Sequence, residues 1–324
     1  MQRRYLLAAT IATPALATPA LAQSWSPSRQ IRLIVPFPAG GSPDILARLT
    51  APLMQEALGQ NVVVENRTGA GATVGSNFVA REAPDGHTIL VAVISSLTAP
   101  LMMNPAPYDP VRDFRPVAPL AITPTVLVTR PDFPARNVRE WHAAVQAAPR
   151  GRFTFASGGV GNPAHLEGEL YRAMTGADSV HVPFRGSAPG LVEVRAGRVD
   201  FSILDLPSAA GMINDRQLPA LAVGTAERVP AFPDLPTIAE TVVPGFEAYS
   251  WIQWWLPAGA PDAVVTRLNG LANTILRHPD VVARAAQAGF LLTGGSEAQA
   301  REFVAREAEK WGRVIRERSI RFDG

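Results

Sequence analysis

The stretch IVPFPAGGSPDILARL, residues 34–49, changes from a strand-like to a helix-like pattern within a few residues. The apolar run at its start is typical of a buried strand, and the positions from Ile45 to Leu58 repeat at the spacing of one helix face. Between these two parts, Gly40 and Gly41 permit a tight turn at the start of the helix. The stretch therefore predicts a strand–turn–helix unit, the building block of an α/β fold.

Strand-like and helix-like patterns alternate along the rest of the chain. Short β-branched runs predict strands at residues 31–36, 62–65, 88–93, 125–129, 153–156, 180–183, 200–204, 220–224 and 249–256. Apolar residues at one-face spacing predict helices at residues 43–58, 72–82, 138–148, 164–175, 188–196, 208–215, 262–277, 280–288 and 297–317. This alternation favours an α/β fold with mainly parallel sheets flanked by helices.

The length and composition are those of a globular protein with room for two domains. Of the 324 residues, 47% are hydrophobic and 18% are charged, which is enough apolar material for a large core. The proline-rich segments at residues 104–119 and 229–236 are not long and polar enough to be free linkers. We therefore expect two lobes joined by strands. The predicted boundaries are signal peptide 1–22, lobe one 23–122, lobe two 123–223 and the second part of lobe one 224–324.

The first residues have the pattern of an export signal. Arg3 and Arg4 precede an apolar run that is too short to span a bilayer, and Ala20 and Ala22 form a small-x-small cleavage pattern. We expect cleavage near Ala22 and an exported protein. The paired arginines are compatible with both the general and the twin-arginine export routes. Without Arg3 and Arg4 the formal charge of +2 becomes zero.

Several classes of function are disfavoured by what the sequence lacks. Because it has no basic run and no array of arginine with aromatic residues, nucleic acid is not expected as a partner. The absence of cysteine excludes disulfides, thiolate catalysis and cysteine-ligated metals. Gly69, Gly71 and Gly75 miss the G-x-G-x-x-G spacing by one residue, and no H-E-x-x-H motif occurs. We therefore expect neither a cofactor nor a metal.

Two glycine-lined turns stand directly before predicted helices. The first spans Pro36–Asp44, and the second is ASGGVGNPAH at residues 156–165, where Asn162 suits an N-cap and Pro163 a first helical position. Unpaired N–H groups and the positive end of the helix dipole let such a turn hold an anion without a charged side chain. A plain strand-to-helix connection explains the first turn, taken alone, equally well. Asp44 would repel a carboxylate beside it, so we expect it to bond back to its own loop or to reach a ligand through water.

An exported hydrolase acting on a small carboxylate or ester is the alternative that these residues leave open. Ser157, His165 and Asp205 could supply a nucleophile, a base and an acid. However, no G-x-S-x-G motif supports that selection. Paired carboxylates suited to acid–base catalysis are not evident either, so the sequence favours binding without chemistry.

An ordered series of short motifs covers essentially all of the chain after the signal. It includes IRLIVPFPAGGSPDILAR, VVVENRTGAGATVGS, DGHTILVAVISS, FASGGVGNPAHLEGELY and VPFRGSAPGLVEVRAGRVDFSILDLPSA. In this order the motifs resemble the Bug family of exported solute receptors, related to the receptor component of tripartite tricarboxylate transporters. The resemblance implies a two-lobed periplasmic binding protein of type II, which clamps a ligand, usually a carboxylate, between its lobes.

The resemblance also implies which residues contact the ligand. They are Phe37, Ala39, Gly40, Gly41, Ser42, Asp44, Ser95, Ser96, Ser157, Gly158, Gly161, Asn162, His165, Gly186 and Asp205. Family members often carry a threonine directly before the aspartate, whereas this chain has Pro43, which removes a potential donor. A monomer without catalytic activity is expected. Its implied partners are the small carboxylate and either the membrane components of a tripartite tricarboxylate transporter or a sensor protein.

Overall fold

The computed structural model describes residues 25–317 and residue 321. The predicted signal peptide, residues 1–22, and its cleavage site near Ala22 lie outside the described residues. Within the described part, no helix is both long enough and apolar enough to cross a membrane.

Strands and helices follow one another along the chain in the predicted order. The strands are β1 (Ile31–Val35), β2 (Val62–Asn66), β3 (Thr88–Val93), β4 (Phe114–Thr129), β5 (Thr154–Ser157), β6 (Val180–Pro183), β7 (Phe201–Asp205), β8 (Ala220–Val223), β9 (Tyr249–Pro257) and β10 (Leu291–Leu292). The helices are α1 (Ser42–Leu58), α2 (Thr73–Ala80), α3 (Ile94–Leu101), α4 (Val138–Ala147), α5 (Pro163–Thr175), α6 (Ser187–Arg195), α7 (Leu206–Asn214), α8 (Ile238–Thr241), α9 (Asp262–Ile275), α10 (Pro279–Gln287) and α11 (Glu297–Glu317).

Helix α3 and the first part of β4 are the main elements that the sequence pattern did not predict. Almost every residue of α3 is buried, so it has no polar face from which a helical period could be recognised. The first part of β4 is rich in proline, which suggested a loop. Its pairing register shifts between Pro116 and Ala118 and again between Pro119 and Ala121. These irregularities let a strand contain proline, because a bulge leaves some backbone donors unused.

One strand connects the two parts of the sheet. The strands lie in the order β2-β1-β3-β9-β4-β7-β5-β6, and β8 and β10 also pair with β4. Residues 114–124 of β4 pair with β9, whereas residues 125–129 pair with β7 and β8. The outer strands are parallel, as predicted, but β4 and β9 add antiparallel pairs in the middle. The fold is therefore two-lobed, with β1–β3, β9 and β10 in lobe one and β5–β8 in lobe two.

Each lobe has hydrophobic clusters of its own. In lobe one, Leu46 and Leu268 belong to a cluster beneath α1 and α9, and Trp255 belongs to a second one. In lobe two, Phe246 packs in the cluster that contains the buried strands β5 and β7. Phe246 and Ala248 join this cluster although they follow the predicted lobe boundary at residue 223. The lobe boundaries stay a prediction.

Gly224 lies where β4, β8 and the chain leading into β9 meet. Its N–H donates to the carbonyl of Thr125, and its carbonyl accepts from Ala248. A Cβ at this position would lie 2.3 Å from Oγ1 of Thr125 and 3.1 Å from the carbonyl oxygen of Ala248. The close approach of three backbone segments requires a residue without a side chain.

We predict that Gly224→Ala lowers the free energy of unfolding by about 1–3 kcal/mol, because the added methyl group overpacks this junction. Gly270→Ala is the control, since Gly270 is exposed within α9 and a Cβ there meets no atom within 4 Å. That substitution should stabilise the protein by up to about 1 kcal/mol. Urea unfolding measures both, and equal effects would contradict the packing argument.

Candidate ligand-binding site

A cleft lies between the two lobes, at the ends of the strands. The empty space in the cleft, including the part that is open to solvent, is about 490 Å³. Lobe one lines it with the turn between β1 and α1 and with Val93. Lobe two lines it with residues 162–164 and 186–188 and with Asp205. The glycine-lined turns at residues 36–44 and 156–165 therefore contribute to one common space.

Five helices of the described chain begin at this cleft. Helices α1, α3, α5, α6 and α7 each follow a strand directly, and residues at their N-termini line the cleft. The first N–H groups of a helix have no partner within the helix, and the dipole places partial positive charge there. None of the described residues that line the cleft is lysine or arginine. Attraction for an anion therefore comes from backbone groups rather than from cationic side chains.

The two lobes contact each other directly at the cleft. Gly186, with a φ of 120°, approaches Pro38 so closely that an added Cβ would lie 3.0 Å from the proline ring. A Cβ on Gly40, with a φ of 85°, would lie 3.8 Å from the Cβ of Ala188. These contacts join the lobes, so the cleft can open on this side only if the lobes separate.

Asp44 fixes the shape of the turn between β1 and α1. It is 3% exposed. Its carboxylate accepts hydrogen bonds from the N–H of Gly40 at 3.0 Å, from Arg48 at 3.0 Å and from Asn66 at 2.9 Å. Asn66 also donates to the carbonyl of Phe37 at 2.9 Å. Burial tends to raise the pKa of Asp44, but the three hydrogen bonds outweigh it and hold the pKa below its usual value. As predicted, Asp44 bonds back to its own loop.

Ser157 and His165 lie behind the second turn rather than on the cleft surface. The hydroxyl of Ser157 is 2.6 Å from Nε2 of His181, and the rings of His165 and His181 stack with centroids 4.1 Å apart. Nδ1 of His165 accepts a hydrogen bond from the N–H of Gly161 at 3.0 Å. Burial, together with nearby His165, lowers the pKa of His181 to about 3. Burial likewise lowers the pKa of His165. Both rings are therefore neutral at pH 7 and support the turn.

Ser95 and Ser96 are buried in the first turn of α3, beneath the cleft surface. The hydroxyl of Ser96 accepts a hydrogen bond from the N–H of Val93 at 3.4 Å, and its carbonyl accepts one from the hydroxyl of Tyr108 at 2.8 Å. Val93 is the residue that reaches the cleft. Ser96 thus positions the start of α3 at the cleft.

Comparison with known proteins places the chain in a family. A profile described as "Tripartite tricarboxylate transporter family receptor" matches residues 46–320. The chain belongs to this receptor family. The protein BugT of Bordetella pertussis is 37% identical over 312 residues, which cover 95% of this receptor and 94% of BugT. The resemblance to Bug proteins is confirmed.

Two similar solved structures contain a carboxylate ligand. An R. palustris protein with adipate matches this receptor with a TM-score of 0.87 and 34% identity, over 91% of this chain and 99% of that one. MatC from Rhodopseudomonas palustris, with bound malate, matches with a TM-score of 0.83 and 31% identity, over 89% and 99% of the respective chains. The two-lobed binding-protein fold that the sequence predicted is confirmed.

Some residues expected to contact a ligand line the cleft of this receptor, and others support it. Those on the surface of the cleft are Phe37, Ala39, Gly41, Ser42, Asn162, Gly186 and Asp205. Those that lie in the same turns or beneath them are Gly40, Asp44, Ser95, Ser96, Ser157, Gly158, Gly161 and His165. Contact of any of these residues with a ligand stays a prediction.

The cleft also contains residues that were not among those expected to contact a ligand. Four of them belong to the two predicted turns: Pro38, Pro43, Pro163 and Ala164. The other four lie outside these turns: Val93, Ser187, Ala188 and Ser250. Ser187 and Ala188 could have been found, because VPFRGSAPG repeats the pattern of a strand, a glycine and a helix start. Val93 and Ser250 lie in buried strands, where no local pattern marks a residue that faces a ligand.

We predict that Asp44→Asn lowers the free energy of unfolding by about 1.5–3 kcal/mol, the usual value of hydrogen bonds to a charged group. Asp262→Asn is a matched control, because Asp262 also lies in the first turn of a helix and pairs with Arg115 at 2.8 Å, but its side chain is 91% exposed. Asp262→Asn should lower the free energy of unfolding by about 1 kcal/mol or less. Chemical denaturation compares the two variants, and a larger loss in the control would refute the role given to Asp44.

The neutral state of His181 predicts a dependence of stability on pH. The unfolded imidazole titrates near pH 6.5 and the folded one at about 3, so the unfolded state binds more protons between these values. The contribution of His181 to the free energy of unfolding is complete above about pH 6.5 and declines as the pH falls towards 3. His181→Phe should therefore lose less stability between about pH 7 and pH 4, measured by urea midpoints. Ser157→Ala, which keeps the imidazole, should retain the dependence of the unaltered protein, and an unchanged slope in His181→Phe would contradict the assignment.

Proposed function

We propose that the chain is a periplasmic solute receptor that binds a small carboxylate between its lobes and delivers it to a transporter of the tripartite tricarboxylate type. The observation that carries this proposal is the convergence of five helix N-termini, from both lobes, on one cleft whose described lining residues include no lysine or arginine. Family membership and the carboxylates bound by two similar structures support it.

The chemistry of the cleft suits a carboxylate group. A carboxylate that leaves water must recover the hydrogen bonds that it loses, and N–H groups at helix starts can replace them. Ser42 and Asp44 retain N–H groups in the first turn of α1, whereas Pro43 has none. Ala164 in α5 and Ser187 in α6 offer further donors from lobe two. The carboxylate is therefore bound by both lobes together.

Binding in this cleft requires the lobes to move. Pro38 and Gly186 bring the two lobes into contact at the cleft, and β4 runs through both lobes as one continuous strand. We propose that the lobes open and close about this strand. A ligand that contacts both lobes binds the closed form more tightly and thereby shifts the population towards it.

Location and partners follow from the same proposal. Residues 1–22 serve as the export signal, and the mature chain acts in the periplasm as a monomer. The closed form is recognised either by the membrane components of a transporter or by a sensor protein. A pull-down with and without ligand distinguishes these two partners, because only the protein that recognises the closed form is retained in a ligand-dependent way.

The proposal predicts that di- and tricarboxylates, amino acids or aromatic acids raise the melting temperature of refolded, ligand-free protein. A compound at about a hundredfold excess over its Kd stabilises the folded state by roughly 2.7 kcal/mol. Ala188→Trp should abolish the shift, because Ala188 lines the cleft and the larger side chain fills it. Val192→Trp is the matched control on the same helix, since Val192 is 40% exposed and lies outside the cleft lining. Val192→Trp should show the same rise in melting temperature as the unaltered protein.

Two results would overturn the proposed function. The first is the absence of any shift with the whole panel. The second is turnover of a panel compound that disappears in Ser157→Ala or His165→Ala, which would establish the exported hydrolase instead. In the structure, Ser157 is 2% exposed and does not line the cleft, which favours binding without chemistry.

A further inference from the structure

Asp205 is the one charged side chain among the described residues that line the cleft. It ends β7 and stands at the N-cap of α7, yet it makes no side-chain capping bond. Unlike Asp44, which is enclosed by its own loop, Asp205 is half-buried and faces the space between the lobes. A ligand held in this cleft therefore meets a carboxylate as well as the helix N-termini.

The hydrogen bonds of Asp205 leave part of its carboxylate available. The hydroxyl of Ser187 donates to Oδ1 at 2.5 Å, and the hydroxyl of Ser208 donates to Oδ2. An ionised carboxylate can accept about four hydrogen bonds. Because each oxygen accepts one of these bonds, both retain acceptor capacity. Among the described residues Asp205 forms no ion pair, so its charge lacks a cationic partner.

A second acid lies close to Asp205 and is buried. Glu167 is 3% exposed on α5. Burial, together with the charge of Asp205, raises the pKa of Glu167 well above its usual value. Within the part of the chain that the structure describes, no lysine or arginine lines the cleft to offset the charge of Asp205. The charge of Asp205 thus suits this part of the cleft to a hydrogen-bond donor with positive charge and makes it unsuited to a second anion.

We infer that the ligand of this receptor is an amino carboxylate, whose ammonium group binds Asp205 while its carboxylate binds the helix N-termini. The inference rests on the proposed function and narrows it. An ammonium group next to a partly buried carboxylate forms charge-assisted hydrogen bonds. A dicarboxylate of the same length instead places its second charge beside Asp205. Asp205 is thus the residue that determines the class of ligand.

Matched compounds test the inference. For each chain length from one to five methylene groups, calorimetry on refolded protein compares the ω-amino acid, the dicarboxylate and the plain monocarboxylate, and a set of α-amino acids is added. We expect at least one amino carboxylate to bind tenfold or more tightly than its dicarboxylate counterpart. In Asp205→Asn the ratio of amino carboxylate to monocarboxylate affinity should fall at least tenfold. In the same variant, the ratio of dicarboxylate to monocarboxylate affinity should rise.

Two further variants keep the test decisive. Asp205→Glu retains the charge and should retain the preference for an ammonium group, and it serves if Asp205→Asn fails to fold. Asp215→Asn changes an exposed aspartate at the other end of α7 and should leave the affinity ratios as they are. Binding of dicarboxylates as tightly as amino carboxylates, or an unchanged ratio in Asp205→Asn, would overturn the inference alone. A failure of every compound to bind would overturn the proposed function with it.

Discussion

An anion that leaves water must receive hydrogen bonds in exchange, and the layout of both lobes meets this constraint at one place. Helices that directly follow strands β1, β3, β5, β6 and β7 begin at the carboxyl ends of those strands. In α/β sheets this edge is where ligands bind, because successive helix starts point to the same side. The sheet therefore does more than form a core. It brings backbone donors from distant parts of the sequence to within reach of one small molecule.

The continuity of the central strands explains how two lobes can share that site. β4 pairs with β9 in lobe one and with β7 and β8 in lobe two, so the same strand belongs to both cores. Gly224, beside Thr125 and Ala248, allows the strands to approach closely at the point where the partners of β4 change. A connection by strands restricts the lobes to a small range of relative movements, which suits a hinge better than a free linker does.

Much of this arrangement could be predicted from the sequence, because its signals are local. The turns at residues 36–44 and 156–165 were recognised from glycines placed between an apolar strand and a periodic helix. The N-cap Asn162 and the first-turn Pro163 were recognised in the same way. Features that depend on tertiary packing were not recognised. Helix α3 is buried on all sides, and Ser157 pairs with His181, a residue on another strand that no sequence spacing connects to it.

The network around Asp44 has a consequence for how fast and how tightly a ligand binds. Gly40, Arg48 and Asn66 hold the turn through bonds made within lobe one, before any solute arrives. Association then does not have to order a flexible loop, so little conformational entropy is lost at that step. Most of the interaction energy of this half of the site is thus available for affinity.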